Sequence, residues 1–276
     1  MNKSVNEIAK DLGLVELSFY EIFVLSDSEK EKIQQFSEKG ICIEPELLRE
    51  HLEYAGKRCC LYESLLNYHE KVIAKTLEEI EKNAFSSYAP EKWLTILQTH
   101  RNIYEMMGYL TLLQMDAITT TICLLQAQND TERIMLSKHA YTIIYEARKN
   151  DLSKKVSKEM RLYPNEVVNI QELSDFWKNI NSILKQIMDI EFAKEIRNNI
   201  DAHKNNSFLR QITLYRECQW AESIIYLSIF TNLVDLIQDY MNIINNNMKK
   251  VYNKYTTDIK EYIAKLDQIK KELGEL

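Results

Sequence analysis

Trp220-Ala221-Glu222-Ser223-Ile224-Ile225-Tyr226-Leu227-Ser228-Ile229-Phe230-Thr231-Asn232-Leu233-Val234-Asp235-Leu236-Ile237 is the stretch that decides the fold. Its apolar residues recur at three- and four-residue steps and cover most sides of a helix, with no period-two alternation. A helix apolar on most sides must be buried among other elements, so the spacing predicts a central helix over 208–244. The same recurrence extends along nearly the whole chain. Five glycines and three prolines in 276 residues are too few turn signals for a sheet-rich protein, but they suit long helices joined by few loops. The predicted fold class is all-α, a multi-helix bundle.

Outward from that helix the punctuation marks further elements. Helices are expected around 5–14 and 18–39, with Gly40 as a C-cap. Pro45 sits at a first-turn position and opens a helix to about Ala84, and Pro90 opens another towards Gln128. Asn129-Asp130-Thr131-Glu132 supplies a cap and an acidic first turn for a helix through Arg148. Residues 150–169, with Pro164, read as the loosest and most basic connection. A helix follows from near Ile170, with Phe176, Ile180, Ile183, Leu184, Ile187 and Met188 on one side. At the C-terminal end Met248, Tyr252, Tyr255, Ile259, Tyr262, Leu266, Ile269, Leu273 and Leu276 follow alternating steps of four and three. That heptad period predicts a coiled-coil seam, either between two subunits or against another helix of the same chain. The organisation is therefore an N-terminal helical extension (1–89), a helical bundle (90–245) and a C-terminal coiled-coil helix (246–276).

An apolar content of 45% with 28% charged residues is ordinary for a globular protein able to bury a sizeable core. The first residues lead into no apolar signal core, and no run approaches 18 uninterrupted apolar residues, so a cytoplasmic location without membrane association is expected. The five cysteines are odd in number, form no C-x-x-C pair and include the adjacent Cys59-Cys60. They read as reduced thiols. The absence of H-E-x-x-H and E-x-x-H patterns leaves a zinc protease or a di-iron bundle unsupported, and neither a metal nor a cofactor is expected. His51, His69, His100 and His139 read as surface or core histidines.

Net charge is −6, which disfavours a nucleic-acid partner, but the charge is unevenly spread. Residues 148–216 carry 13 Lys and Arg against 9 Asp and Glu, with basic residues densest at Arg148, Lys149, Lys154, Lys155, Lys158 and Arg161. Lys154, Lys155 and Lys158 are candidate contacts for a phosphate backbone; the alternative is an ordinary solvated helix face.

The same basic segment contains Glu195-Ile196-Arg197-Asn198-Asn199-Ile200-Asp201-Ala202-His203. An arginine, a following amide and a histidine at this spacing resemble the R-x4–6-H signature, often R-N-x-x-x-H, of the HEPN superfamily of helical-bundle proteins. The resemblance covers this one motif and its all-helical setting. It implies an HEPN-like bundle and a metal-independent endoribonuclease in a defence or toxin–antitoxin setting. It further implies RNA as substrate, a homodimer that joins two motifs in one cleft, and an antitoxin or other protein partner. By the same resemblance His203 is the general acid or base, Arg197 binds the phosphate and stabilises charge on it, and Asn198 orients the substrate or the histidine.

Those residue types suit the chemistry. Both protonation states of histidine are accessible near neutral pH, and the arginine fork stays charged and can grip two phosphate oxygens. On a straight α-helix, however, Arg197 and His203 would stand about 120° apart around the axis and about 9 Å apart along it. A local break is required, which Asn198, Asn199 and Asp201 have the chemistry to supply. Asp201 departs from the expected pattern, since a carboxylate near a phosphate path is unhelpful unless it orients His203. The alternative is a non-catalytic interaction or scaffold protein, a degenerate HEPN relative or an unrelated bundle, in which Arg197 and Asp201 form an i,i+4 ion pair.

Overall fold

A computed structural model describes residues 45–82, 90–149, 152–163, 167–187, 190–198, 220–252 and 257–272, together with 210, 213–214 and 217–218. All regular structure among them is helical. The helices are α1 (Pro45–Glu81), α2 (Pro90–Gln126), α3 (Asp130–Lys149), α4 (Leu152–Met160), α5 (Ile170–Ile187), α6 (Ile190–Ile196), α7 (Trp220–Tyr252) and α8 (Thr257–Glu272). The helices expected around 5–14 and 18–39, and the Gly40 cap, lie outside the described residues.

The starts follow from capping chemistry. Proline opens α1 and α2, where its missing N–H would have no intrahelical partner. At α3 the Asn129 Oδ1 accepts the Glu132 N–H at 3.0 Å, and a Glu132 carboxylate oxygen accepts the Gln128 N–H at 2.8 Å, a reciprocal cap. Asn169 does the same work at α5, accepting from the Gln171 and Glu172 N–H groups at 2.9 and 3.3 Å.

Two expected boundaries are corrected. Helix α4 occupies the segment read as the loosest connection, because Val156 and Met160, one helical turn apart, both bury completely while Lys155 and Lys158 point to solvent. The helix expected over 208–244 is interrupted at Cys218, which is not helical, and α7 runs on past Ile244 to Tyr252. Glu222 in the first turn complements the new N-terminus.

Two compact units divide the chain: Met1–Tyr54, Leu113–Asn150 and Ile183–Leu233 form the first, and Ala55–Leu112, Asp151–Ser182 and Val234–Leu276 the second. In the first, every residue of α7 from Trp220 to Thr231 is buried, as the all-round apolar pattern requires. Glu222, buried among these, accepts hydrogen bonds from the hydroxyls of Tyr141 (3.2 Å) and Tyr226. Arg133 caps the end of α2 by donating to the Ala127 carbonyl at 3.2 Å, with its guanidinium 5.8 Å from the centre of the Trp220 ring.

In the second unit Leu61, Leu65, Leu97, Ile103 and Met107 are fully buried. Polar cross-links fix helix register within it: Arg58 donates to Asp235 at 2.8 Å, Tyr62 to Gln238, and Gln238 to Thr111 at 3.0 Å. Phe176 stacks on Tyr240, with ring centres 4.3 Å apart. Leu266 and Ile269 on α8, two positions of the heptad seam, are buried within the chain.

Helices α2 and α7 are long and apolar enough over Trp93–Gln126 and Trp220–Asn247 to cross a membrane by length and composition, but 83% of the apolar window in the second is buried inside the protein. A core helix meets the same measure.

Candidate functional site

Helix α6 is short, and one face of it is committed to packing. Ala193 and Ile196, three residues apart, are fully buried, and α6 lies along α3 within the first unit. The Phe192 ring meets Tyr141 of α3 edge to face, with centres 5.1 Å apart. With α6 so anchored, the α-helical phase ends at Ile196, and Arg197-Asn198 continue it as a wider π turn. Such turns shift the residues that follow off the 3.6-residue repeat.

At this turn the Arg197 Nε donates to Oε1 of Glu146 on α3 at 3.0 Å, and Nη1 donates to Oδ1 of Asn198 at 3.3 Å. The side chains of Arg197 and Glu146 are each 26% exposed, which makes the pair half-buried and open to solvent on one side. A guanidinium carries five N–H donors. Two are engaged, so both Nη2 protons and one on Nη1 remain without a partner among the described residues. Two residues back, Glu195 accepts from the Arg210 guanidinium.

The sequence placed Arg197, Asn198 and His203 together. Arg197 and Asn198 are in contact, whereas His203, Asn199 and Asp201 lie outside the described residues. Lys155 and Lys158 are exposed on α4 in the second unit; the side chain of Lys154 lies outside the described residues. Glu146 was legible only as a residue of a neighbouring helix, because 51 positions separate it from its partner. The Glu195–Arg210 pair had no sequence signal.

A second concentration of titratable groups lies in the core of the second unit. His69 and His100 are buried, with ring centres 5.6 Å apart, and His100 also meets Tyr104 and Tyr163 edge to face. The His69 Nδ1–H donates to the Leu65 carbonyl at 2.7 Å. Burial pulls the pKa of His69 down to about 4, and burial, then His69 and Lys270, hold His100 well below its ordinary value. Both imidazoles are therefore neutral at physiological pH and walled off from solvent, which suits packing rather than proton transfer to a ligand. Burial, followed by the Glu217 carboxylate, pushes the Cys218 thiol up to about 12, so it is no nucleophile at neutral pH. An open groove lined by Cys123, Ala127, Met135 and Leu136 does not include Arg197. Among the described residues no three of His, Cys, Asp and Glu converge as a metal site.

Fold and site together define an all-helical protein that presents a half-buried arginine, held by a carboxylate, at a helix end. No family model matches the chain, and no curated protein or solved structure matches it either.

Proposed function

We propose that the chain is a cytoplasmic, metal-independent endoribonuclease of the HEPN type, acting as a homodimer in a defence or toxin–antitoxin setting. The observation that carries this reading is Arg197: fixed in place, partly exposed, and with three N–H donors still available for phosphate oxygens. The π turn supports it, because a straight helix would hold Arg197 and His203 about 120° apart. In this reading Arg197 binds the scissile phosphate, Asn198 orients the site, and His203 moves the proton between the ribose 2′-hydroxyl and the leaving oxygen. Lys154, Lys155 and Lys158 supply a further track for the RNA backbone. Since Leu266 and Ile269 are covered by the chain itself, a coiled-coil seam between subunits would have to use other positions of the heptad series.

A second reading, a non-catalytic interaction or scaffold protein, is favoured by the same ion pair, since Arg197–Glu146 ties α6 to α3 without any substrate. Purified protein separates the two. On the first reading it cleaves single-stranded RNA in the presence of EDTA, and Arg197→Ala and His203→Ala each lower the rate by about a hundredfold or more while keeping helical content. Cleavage of equal rate in wild type and both variants would expose a contaminating nuclease and leave the scaffold reading in place.

A further inference from the structure

We infer that Glu146 is a positioning residue that presets Arg197 as a phosphodiester clamp. The inference rests on the reading of Arg197 as a phosphate ligand. Glu146 engages only Nε, through a single carboxylate oxygen. A carboxylate that served to neutralise or mask the guanidinium would take two parallel N–H groups in a fork, the preferred geometry of such pairs. Here it holds the near edge of the group and leaves the terminal nitrogens to another acceptor, while Asn198 takes one Nη1 proton and restrains rotation about the long axis. Glu146 is itself held by α3, whose Tyr141, Ile144 and Ala140 are buried, so the fixed point belongs to the packed part of the first unit rather than to the turn. An arginine fixed in this way loses less side-chain freedom when it binds a phosphate than a free surface arginine does. Of the free donors, one Nη2 proton runs parallel to Nε–H on the Glu146 side, and the other Nη2 proton points away from that carboxylate, towards the end of the guanidinium where an anion can approach.

The test uses a fluorescent single-stranded oligonucleotide with 2′-O-methyl riboses, which retains the phosphodiesters but lacks the attacking hydroxyl, so that binding is read without cleavage. Anisotropy on the full chain is expected to show binding that Arg197→Ala abolishes and that inorganic phosphate competes away. Glu146→Ala weakens it about tenfold, while Glu146→Gln, whose amide oxygen still accepts from Nε, stays within about threefold of wild type. Arg197→Lys keeps the charge but has no Nε to pin and loses about as much as Glu146→Ala, which covers the case in which Glu146→Ala fails to fold. Binding by Glu146→Ala or Arg197→Lys equal to or tighter than wild type overturns the inference, as does wild-type binding no better than that of Arg197→Ala. Tight binding with the expected variant order, but no cleavage of unmodified RNA, sustains the clamp and removes the ribonuclease reading.

Discussion

Burying an imidazole selects its neutral form, because the charged form would lose hydration that the core does not replace. His69 and His100 stand in that situation, and the consequence is a pH dependence with a definite sign. In the unfolded chain histidine takes up a proton near pH 6.5. Native His69 refuses it until about pH 4, and native His100 is held well below its ordinary value in the same direction. The unfolded state therefore binds more protons as the pH falls below 6.5, and stability that is complete above that value drains away towards pH 4. His69 alone accounts for roughly 2 kcal/mol between pH 6.5 and pH 5. Urea denaturation at the two pH values should show this loss in the wild type and a smaller one in His69→Gln. An unfolding free energy that is the same at both pH values would contradict the burial of neutral histidine.

At the scale of elements, the starts of α1, α2, α3 and α5 were readable because capping is local. Asn129 and Glu132 are three residues apart, and their reciprocal bonds could be written down from the sequence. Replacing Asn129 by Ala should cost about 1 kcal/mol, seen as a lowered thermal midpoint without loss of helix elsewhere. The all-α class was legible for a similar reason: the burial of Trp220 to Thr231 needs only a count of apolar sides. Helix α4 was not, since its two buried residues are outnumbered by lysines and polar side chains, and tertiary cover rather than propensity makes it a helix. Half of the candidate site was equally hidden. Arg197 and Asn198 announce themselves by spacing, but the partner that orients Arg197 comes from α3, and no periodicity links positions 51 apart. The heptads of α8 gave an apolar period but not what packs against it. With Leu266 and Ile269 buried, Leu266→Ala should destabilise the chain by about 2–5 kcal/mol at any protein concentration. Dependence of that loss on protein concentration would mean that a second copy, not the chain itself, covers the seam.

For the whole molecule the governing quantity is where the charge lies. A net charge of −6 repels a polyanion at long range, so any RNA must be held by local cations acting within a Debye length, about 8 Å at physiological salt. Lys155 and Lys158 are exposed on α4, where Lys155 has no acidic immediate chain neighbour and Lys158 is followed by Glu159, so Lys155 is the better placed of the two to displace counterions from a backbone. Each phosphate neutralised on a single strand contributes about 0.7 to the slope of log affinity against log salt. Changing Lys154, Lys155 and Lys158 together to Glu should therefore weaken binding of a single-stranded RNA and flatten that slope by about 2. Arg197→Ala should flatten it by less than 1, since only one phosphate contact is removed. Measured slopes that do not change in the lysine variant would show α4 to be an ordinary solvated face, and the RNA track would then have to be sought on other basic residues between 148 and 216.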